Sequence, residues 1–218
     1  MAEAYFKLQN ISFSRPGFAP LFHELNFEVY SHDTIGLVGG NGAGKTSLFH
    51  LMMGLLKPSS GEIIAFGKTC SSEGDFLDVR TQTGYLFQNS DDQLFCPTVE
   101  EDVSFGPLNL GFSHKKAIEI TTKVLSELGL SGFEKRITHH LSGGEKRLVA
   151  LASVLAMEPK VLLLDEPTTG LDEPAYERLI DILKRLDISK VIISHDERFL
   201  STLTETAYRL KAGQLHLL

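Results

Sequence analysis

The chain has 218 residues, 42% of them hydrophobic, with a mean hydropathy near zero and a formal net charge of −7. That composition suits one α/β domain with a real core and contains no apolar run near the roughly 20 residues that span a bilayer. No Lys/Arg run exceeds two residues, so the chain offers no basic face for nucleic acid. Met1 to Tyr5 does not read as a signal peptide, and Cys70 and Cys96 read as free thiols of a reducing compartment.

From Ala4 to Tyr30 apolar and polar residues alternate in places, as in Phe6-Lys7-Leu8-Gln9 and Leu25-Asn26-Phe27-Glu28-Val29, which predicts an antiparallel β-layer. Ile35-Gly36-Leu37-Val38 follows as a short buried strand and opens into Gly39-Gly40-Asn41-Gly42-Ala43-Gly44-Lys45-Thr46, which fits G-x-x-x-x-G-K-[ST]. Triphosphate oxygens need several backbone N–H groups converging on them, and glycines let the backbone approach ahead of the helix that Ser47 begins. In that pattern Lys45 reaches the β- and γ-phosphates of ATP and Thr46 gives Mg²⁺ a hydroxyl. The stretch from Thr34 to Gln88 is therefore expected to build the first half of a nucleotide-binding sheet.

Asn89 to about His140 reads as helical. Its clearest helix runs from Ser113 to Leu128, with Ile118, Val124, Leu125 and Leu128 on or near one face, Ser113 as N-cap and Gly129 as C-cap. His139-His140 has no third ligand at useful spacing and reads as structural or solvent-facing. Leu141-Ser142-Gly143-Gly144-Glu145 opens the next helix, and five specified residues in that order arise by chance in about one chain in a thousand. Val161-Leu162-Leu163-Leu164-Asp165-Glu166 reads as a central parallel strand ending in two carboxylates, Asp165 to hold Mg²⁺ through water and Glu166 to polarise an attacking water. The chain closes with Tyr208-Arg209-Leu210, a hairpin-like turn at Lys211 to Gln214, and a last short strand.

These motifs, in this order, resemble the ATP-binding cassette family over nearly the whole chain. The resemblance implies an α/β P-loop ATPase with a RecA-like parallel sheet, an antiparallel β-layer and an α-helical subdomain. The nucleotide-binding core would take residues 1–88 and 143–218, and the helical subdomain 89–142. It implies that Gln88, after Thr83-Gly84-Tyr85-Leu86-Phe87, is the Q-loop glutamine touching Mg²⁺ and the attacking water. Thr168-Thr169-Gly170-Leu171-Asp172 would be the D-loop, with Leu171 and Asp172 at a dimer interface, and His195 the switch histidine on the γ-phosphate. Ser142, Gly143, Gly144 and Glu145, the last replacing the usual Gln, would face ATP held by a second cassette, identical or not. Helix N-termini attract anions in that way.

Three departures stand out. Arg15 occupies the place of an aromatic that usually stacks on adenine, so that Arg15, Phe13 or Phe18 takes the base, or the base is held loosely. Gly40 stands where Pro is common. The basic residue usual three places after Glu145 is Leu148, with Arg147 one place earlier; neither change is expected to touch the groups that perform hydrolysis.

Gln88-Asn89-Ser90-Asp91-Asp92-Gln93-Leu94-Phe95 and Val99 to Pro107 resemble the ATPase subunits of energy-coupling-factor importers, in which this stretch forms a groove for a membrane subunit. The resemblance implies a partner groove at Asp91, Asp92, Gln93 and Phe95, integral membrane partners, a peripheral place on the cytoplasmic face of the membrane, and uptake of cobalt, nickel or a vitamin. Ending soon after Leu215, the chain resembles the shorter form of that branch, commoner in metal and biotin systems, and cobalt or nickel is the expected cargo. The rival readings are a non-transport module that dimerises on ATP and the ATPase of another transporter branch.

Overall fold

In the computed structural model, which describes residues 3–218, the chain begins with strands β1 (Ala4–Ser14), β2 (Pro20–Tyr30) and β3 (Thr34–Val38), followed by helix α1 (Lys45–Met52). Next come β4 (Ser60–Ala65), β5 (Lys68–Cys70), α2 (Glu73–Gln82), β6 (Thr83–Leu86), α3 (Val99–Asn109), α4 (His114–Glu127) and α5 (Gly143–Leu155). The last elements are β7 (Val161–Asp165), α6 (Glu173–Arg185), β8 (Ser189–Ile193), α7 (Glu197–Leu203), β9 (Thr206–Lys211) and β10 (Gln214–Leu217). Met1 and Ala2, on which the signal-peptide reading partly falls, lie outside the described residues.

Alternation decides the first layer. Phe6, Leu8, Ile11 and Phe13 of β1 and Phe22, Leu25, Phe27 and Val29 of β2 are all buried, so each strand has one apolar face. The two pair antiparallel, with Leu8 opposite Phe27, in a four-stranded sheet ordered β2-β1-β4-β5. The expected β-layer is present, but it also takes residues 60–70, which the sequence reading places in the nucleotide-binding sheet. In β4 only Ile63 and Ala65 are buried while Ser60, Gly61 and Glu62 are exposed. Such a strand suits a sheet covered on one face, not a parallel strand covered on both.

The second sheet has six strands in the order β10-β9-β3-β8-β7-β6, parallel from β9 to β6, with β10 antiparallel at the edge as the hairpin reading expected. Every residue of β6, β7 and β8 is buried, as helices on one face and the β-layer on the other require. Val161, Leu163, Val191 and Ile193 join the core formed with α1 and the β-layer, while Leu162, Leu164 and Ile192 join the core formed with α5, α6 and α7. The C-terminal ends of β3, β7 and β8 thereby converge, and in open α/β sheets that edge carries the ligand.

Helices α3 and α4 pack on α5. Ser113 caps α4, its hydroxyl accepting from Lys116 N at 3.3 Å, and Gly129 stands just past the helix end with φ 70°, where a glycine relieves strain. The buried face is Ala117, Thr121, Val124 and Leu125; Ile118, one residue round from Ala117, lies only at its margin.

Candidate nucleotide site

The loop between β3 and α1 is shaped by its glycines. Gly42 and Gly44 have φ of 76° and 107°, and a Cβ on Gly44 would lie 2.9 Å from Leu21 and Phe22. Helix α1 starts without a side-chain cap or an acidic residue in its first turn, which leaves its N–H groups to face an anion. Lys45, nearly buried, folds back over the loop, its Nζ donating to Gly39 O at 2.8 Å and standing 3.3 Å from His195 Nε2.

Two carboxylates close the other side. Asp165, at the end of β7, accepts from the Thr46 hydroxyl at 2.7 Å and from the Tyr85 hydroxyl at 3.4 Å; burial, reinforced by the Asp165 charge, raises the Tyr85 pKa, so Tyr85 remains a donor. Glu166 has φ 46°, a left-handed backbone uncommon for a side-chain-bearing residue, with its N–H bound to Ile193 O at 2.9 Å. Its Oε2 accepts from His195 N at 3.3 Å, and its Oε1 lies 3.4 Å from His195 Nε2. The Thr46 hydroxyl and the Asp165 carboxylate are hard oxygen donors that fit Mg²⁺. Among the described residues no group of three or more His, Cys, Asp or Glu forms a metal cage.

A cavity of about 790 Å³ joins these parts. It is lined by the glycine-rich loop from Asn41 to Ser47, by Gln88, Asp165, Glu166 and His195, and by Arg15, Phe18 and Leu21. Of the three side chains considered for the base, Phe13 is buried in the β-layer beside Phe22 and cannot reach it. The Arg15 guanidinium donates to Ser47 Oγ at 3.1 Å, in the first turn of α1. Phe18 is 74% exposed on the cavity rim.

Ser142, Gly143, Gly144 and Glu145 do not line this cavity. They form the N-terminus of α5, where Ser142 and Glu145 make a capping box, Glu145 N donating to Ser142 Oγ and Ser142 N to Glu145 Oε2, and Glu145 also pairs with Arg136 at 3.0 Å. Leu171 packs against the helical core, and Asp172 caps α6 by accepting from Ala175 N at 3.0 Å. After Gln88 a short 3-10 turn, Ser90–Asp92, carries Asp91, which pairs with Lys146 at 2.6 Å, and exposed Asp92. Gln93 turns inward, accepting from Phe87 N at 3.0 Å and donating to Ala150 O at 3.2 Å, so its side chain does not serve an external groove. Phe95 is 63% exposed and meets Phe105 edge-on at 4.8 Å. His139 and His140 face solvent.

Sequence reasoning overlooked Arg147. It is buried, and its guanidinium donates to the carbonyls of Phe87, Asp165, Glu166 and Pro167, so the shifted basic residue does touch the backbone of the two residues expected to carry hydrolysis. A lone arginine beside the apolar run Leu148 to Ala152 was the available signal.

A glycine-rich anion loop at a parallel sheet edge, two carboxylates and a capped helix displaying Ser-Gly-Gly define a nucleotide-hydrolysing cassette. The model of the family described as ABC transporter matches residues 22–169, and the chain belongs to that family. It is 51% identical over 208 residues to a putative ABC transporter ATP-binding protein of Brucella suis biovar 1 (strain 1330), covering 95% of this chain and 86% of that protein. It is 43% identical to the energy-coupling factor transporter ATP-binding protein EcfA of Methanothermobacter thermautotrophicus, over 96% of this chain and 68% of the relative. Among solved structures, CbiO1 of Clostridium perfringens, part of the ABC transporter complex CbiONQ, superposes with a TM-score of 0.89 at 33% identity, covering 99% of this chain and 88% of that one. The chain is thus an ATP-binding, ATP-hydrolysing subunit of an ABC transporter.

Proposed function

We propose that this subunit drives an importer of the energy-coupling-factor type, acting as a head-to-tail pair of cassettes attached to integral membrane subunits from the cytoplasmic side. The observation that carries the reading is the exposed pair of Phe95, in the segment that follows Gln88, and Phe105 of α3. It is not a loose loop: buried Asp102 of α3 accepts from Phe95 N at 3.3 Å and from Cys96 N at 3.0 Å. An apolar surface fixed at that point can pass a displacement of Gln88 to a membrane helix. The EcfA and CbiO relatives support the same branch.

ATP lies along the cavity with adenine against Phe18 and the triphosphate on Gly39 to Thr46. Lys45 exchanges loop carbonyls for the β- and γ-phosphates. Thr46, Asp165 and Gln88 would hold Mg²⁺, which neutralises phosphate charge. Glu166 accepts the proton of the attacking water, oriented by His195, which also reaches the γ-phosphate. Ser142 and Gly144 of the second cassette complete the site, Leu171 and Asp172 lie along the seam, and a second copy suffices because one chain carries the full motif set. The cargo, cobalt, nickel or a vitamin, is recognised by a membrane subunit.

Tagged chain recovered from its native cells in mild detergent is expected to carry a multi-spanning membrane subunit and a small membrane substrate-binding protein. Recovery of soluble partners alone, with ATPase activity intact, overturns the importer reading. Glu166→Gln is expected to lower kcat by about 10²-fold or more while ATP still binds and the dimer accumulates; an active monomeric variant contradicts the mechanism.

A further inference from the structure

Helix α5 begins at the signature, where Ser142 and Gly143 are exposed, and is buried from Arg147 to Ala152 and again at Val154. Arg147 itself is 2% exposed and the largest of the fully buried side chains. Its Nε donates to Pro167 O at 2.9 Å, its Nη2 to Asp165 O at 3.1 Å and to Glu166 O, and its Nη1 to Phe87 O. No carboxylate is among these acceptors. Burial lowers its pKa to about 10, opposed by the charges of Asp165 and Glu166, so it is a cation at neutral pH. The donors thus go to the residue before Gln88 and to three consecutive residues, Asp165 to Pro167. The segment they clamp includes the left-handed backbone of Glu166, a conformation that persists only where its surroundings hold it.

The same helix grips the far side of the Q-loop. Lys146 pairs with Asp91 at 2.6 Å, and Gln93 bridges Phe87 N to Ala150 O. A planar guanidinium can serve several carbonyls at fixed angles; a lysine ammonium at the same place cannot span them.

We infer that Arg147 is a positioning residue for hydrolysis: it locks the backbone beneath Gln88 and Glu166 to the helix whose N-terminus faces the second cassette. A shift of the signature helix and a shift of the carboxylate that activates water are then one motion. This rests on Gln88 and Glu166 carrying hydrolysis as proposed above.

The test compares wild-type chain, Arg147→Lys, Gln88→Ala, their double variant and Glu166→Gln in steady-state ATPase assays, with ATP affinity measured separately by a fluorescent ATP analogue. Arg147→Lys is expected to lower kcat by about tenfold to a hundredfold, the scale of a sub-ångström to ångström misplacement, with affinity changed by no more than about twofold. The double variant should be less impaired than the product of the single effects, because both act on the same loop. Unchanged kcat, a parallel loss of affinity, or a fully multiplicative double variant overturns the inference. Glu166→Gln separates the two levels. If it hydrolyses ATP at the wild-type rate, the reading of the site fails, whereas an inactive Glu166→Gln beside a normal Arg147→Lys removes only the role of Arg147. Should Arg147→Lys not fold, hydrogen exchange of the wild-type chain with and without ATP decides. Residues 87–93, 143–147 and 165–170 must change protection together, and independent changes overturn the coupling.

Discussion

Phe18 and Arg15 divide the end of the cavity between them. Arg15 is committed to Ser47 in the first turn of α1, and Phe18 is the one phenyl side chain among the residues lining the cavity, 74% exposed. Stacking on a base contributes about 1–3 kcal/mol by alanine substitution, so Phe18→Ala should raise KM for ATP by about tenfold with kcat preserved at saturation. GTP should be weakened comparably, because stacking reads the π-face and not the base edge. An unchanged KM for Phe18→Ala would mean that Phe18 does not stack on the base. Glu145 makes a second residue-scale prediction. The N–H of Ser142, then its hydroxyl and Arg136, hold the Glu145 carboxyl below its ordinary pKa. A depressed folded pKa adds stability that is present above the unfolded value of about 4.3 and is lost as pH falls through the folded one. The Tm advantage of wild type over Glu145→Gln should therefore hold at neutral pH and shrink below about pH 4.3. A difference independent of pH would show that the capping geometry, and not the charge, is what matters.

At the scale of elements, the approach of α5 to β6 depends on one absent side chain. A Cβ on Gly84 would stand 2.2 Å from Val154 Cγ1 and 2.8 Å from Leu162 Cδ2, so Gly84→Ala must push the helix that carries both the signature and Arg147 off the sheet. Overpacking of this kind costs about 1–3 kcal/mol, and for a chain of this size each kcal/mol lowers Tm by about 2–4 °C. Thermal unfolding should show that loss, and adding Val154→Ala should recover much of it; no recovery would place the strain elsewhere. The parallel strands were legible in the sequence because burial on both faces leaves uninterrupted apolar runs, as in Val161 to Leu164. β4 was not, since Ile63 and Ala65 alone do not reveal which sheet they join, and that is settled by pairing with β1 across a long stretch of chain. Gln93 and Arg147 escaped for a related reason: a polar residue turned inward declares itself only through the carbonyls it meets, and those come from segments distant in sequence.

For the whole molecule the decisive fact is that the signature lies outside the cavity of its own chain. Beyond its own helix and chain neighbours, the nearest described atom to where a Cβ on Gly143 would stand is Gly170 O at 3.6 Å, so packing against the rest of the chain does not require a glycine there, whereas at Gly144 a Cβ would sit close to Ala175, at 3.2 Å. Space reserved at Gly143 suits an approaching phosphate, and in a head-to-tail pair that phosphate belongs to the other chain. This arrangement can be tested by complementation. Glu166→Gln disables the site built on a chain's own strand β7, and Ser142→Arg, at an exposed position, disables the site to which the chain lends its helix. In a mixed pair both defects fall in one site and leave the other intact. Equal mixing makes about half the dimers mixed, each with one working site of two, so two nearly inactive variants should together regain about a quarter of wild-type ATPase activity when the sites act independently. With sites that act independently, activity equal to the sum of the separate variants would mean that each chain completes its own site, and the head-to-tail pair would have to be abandoned.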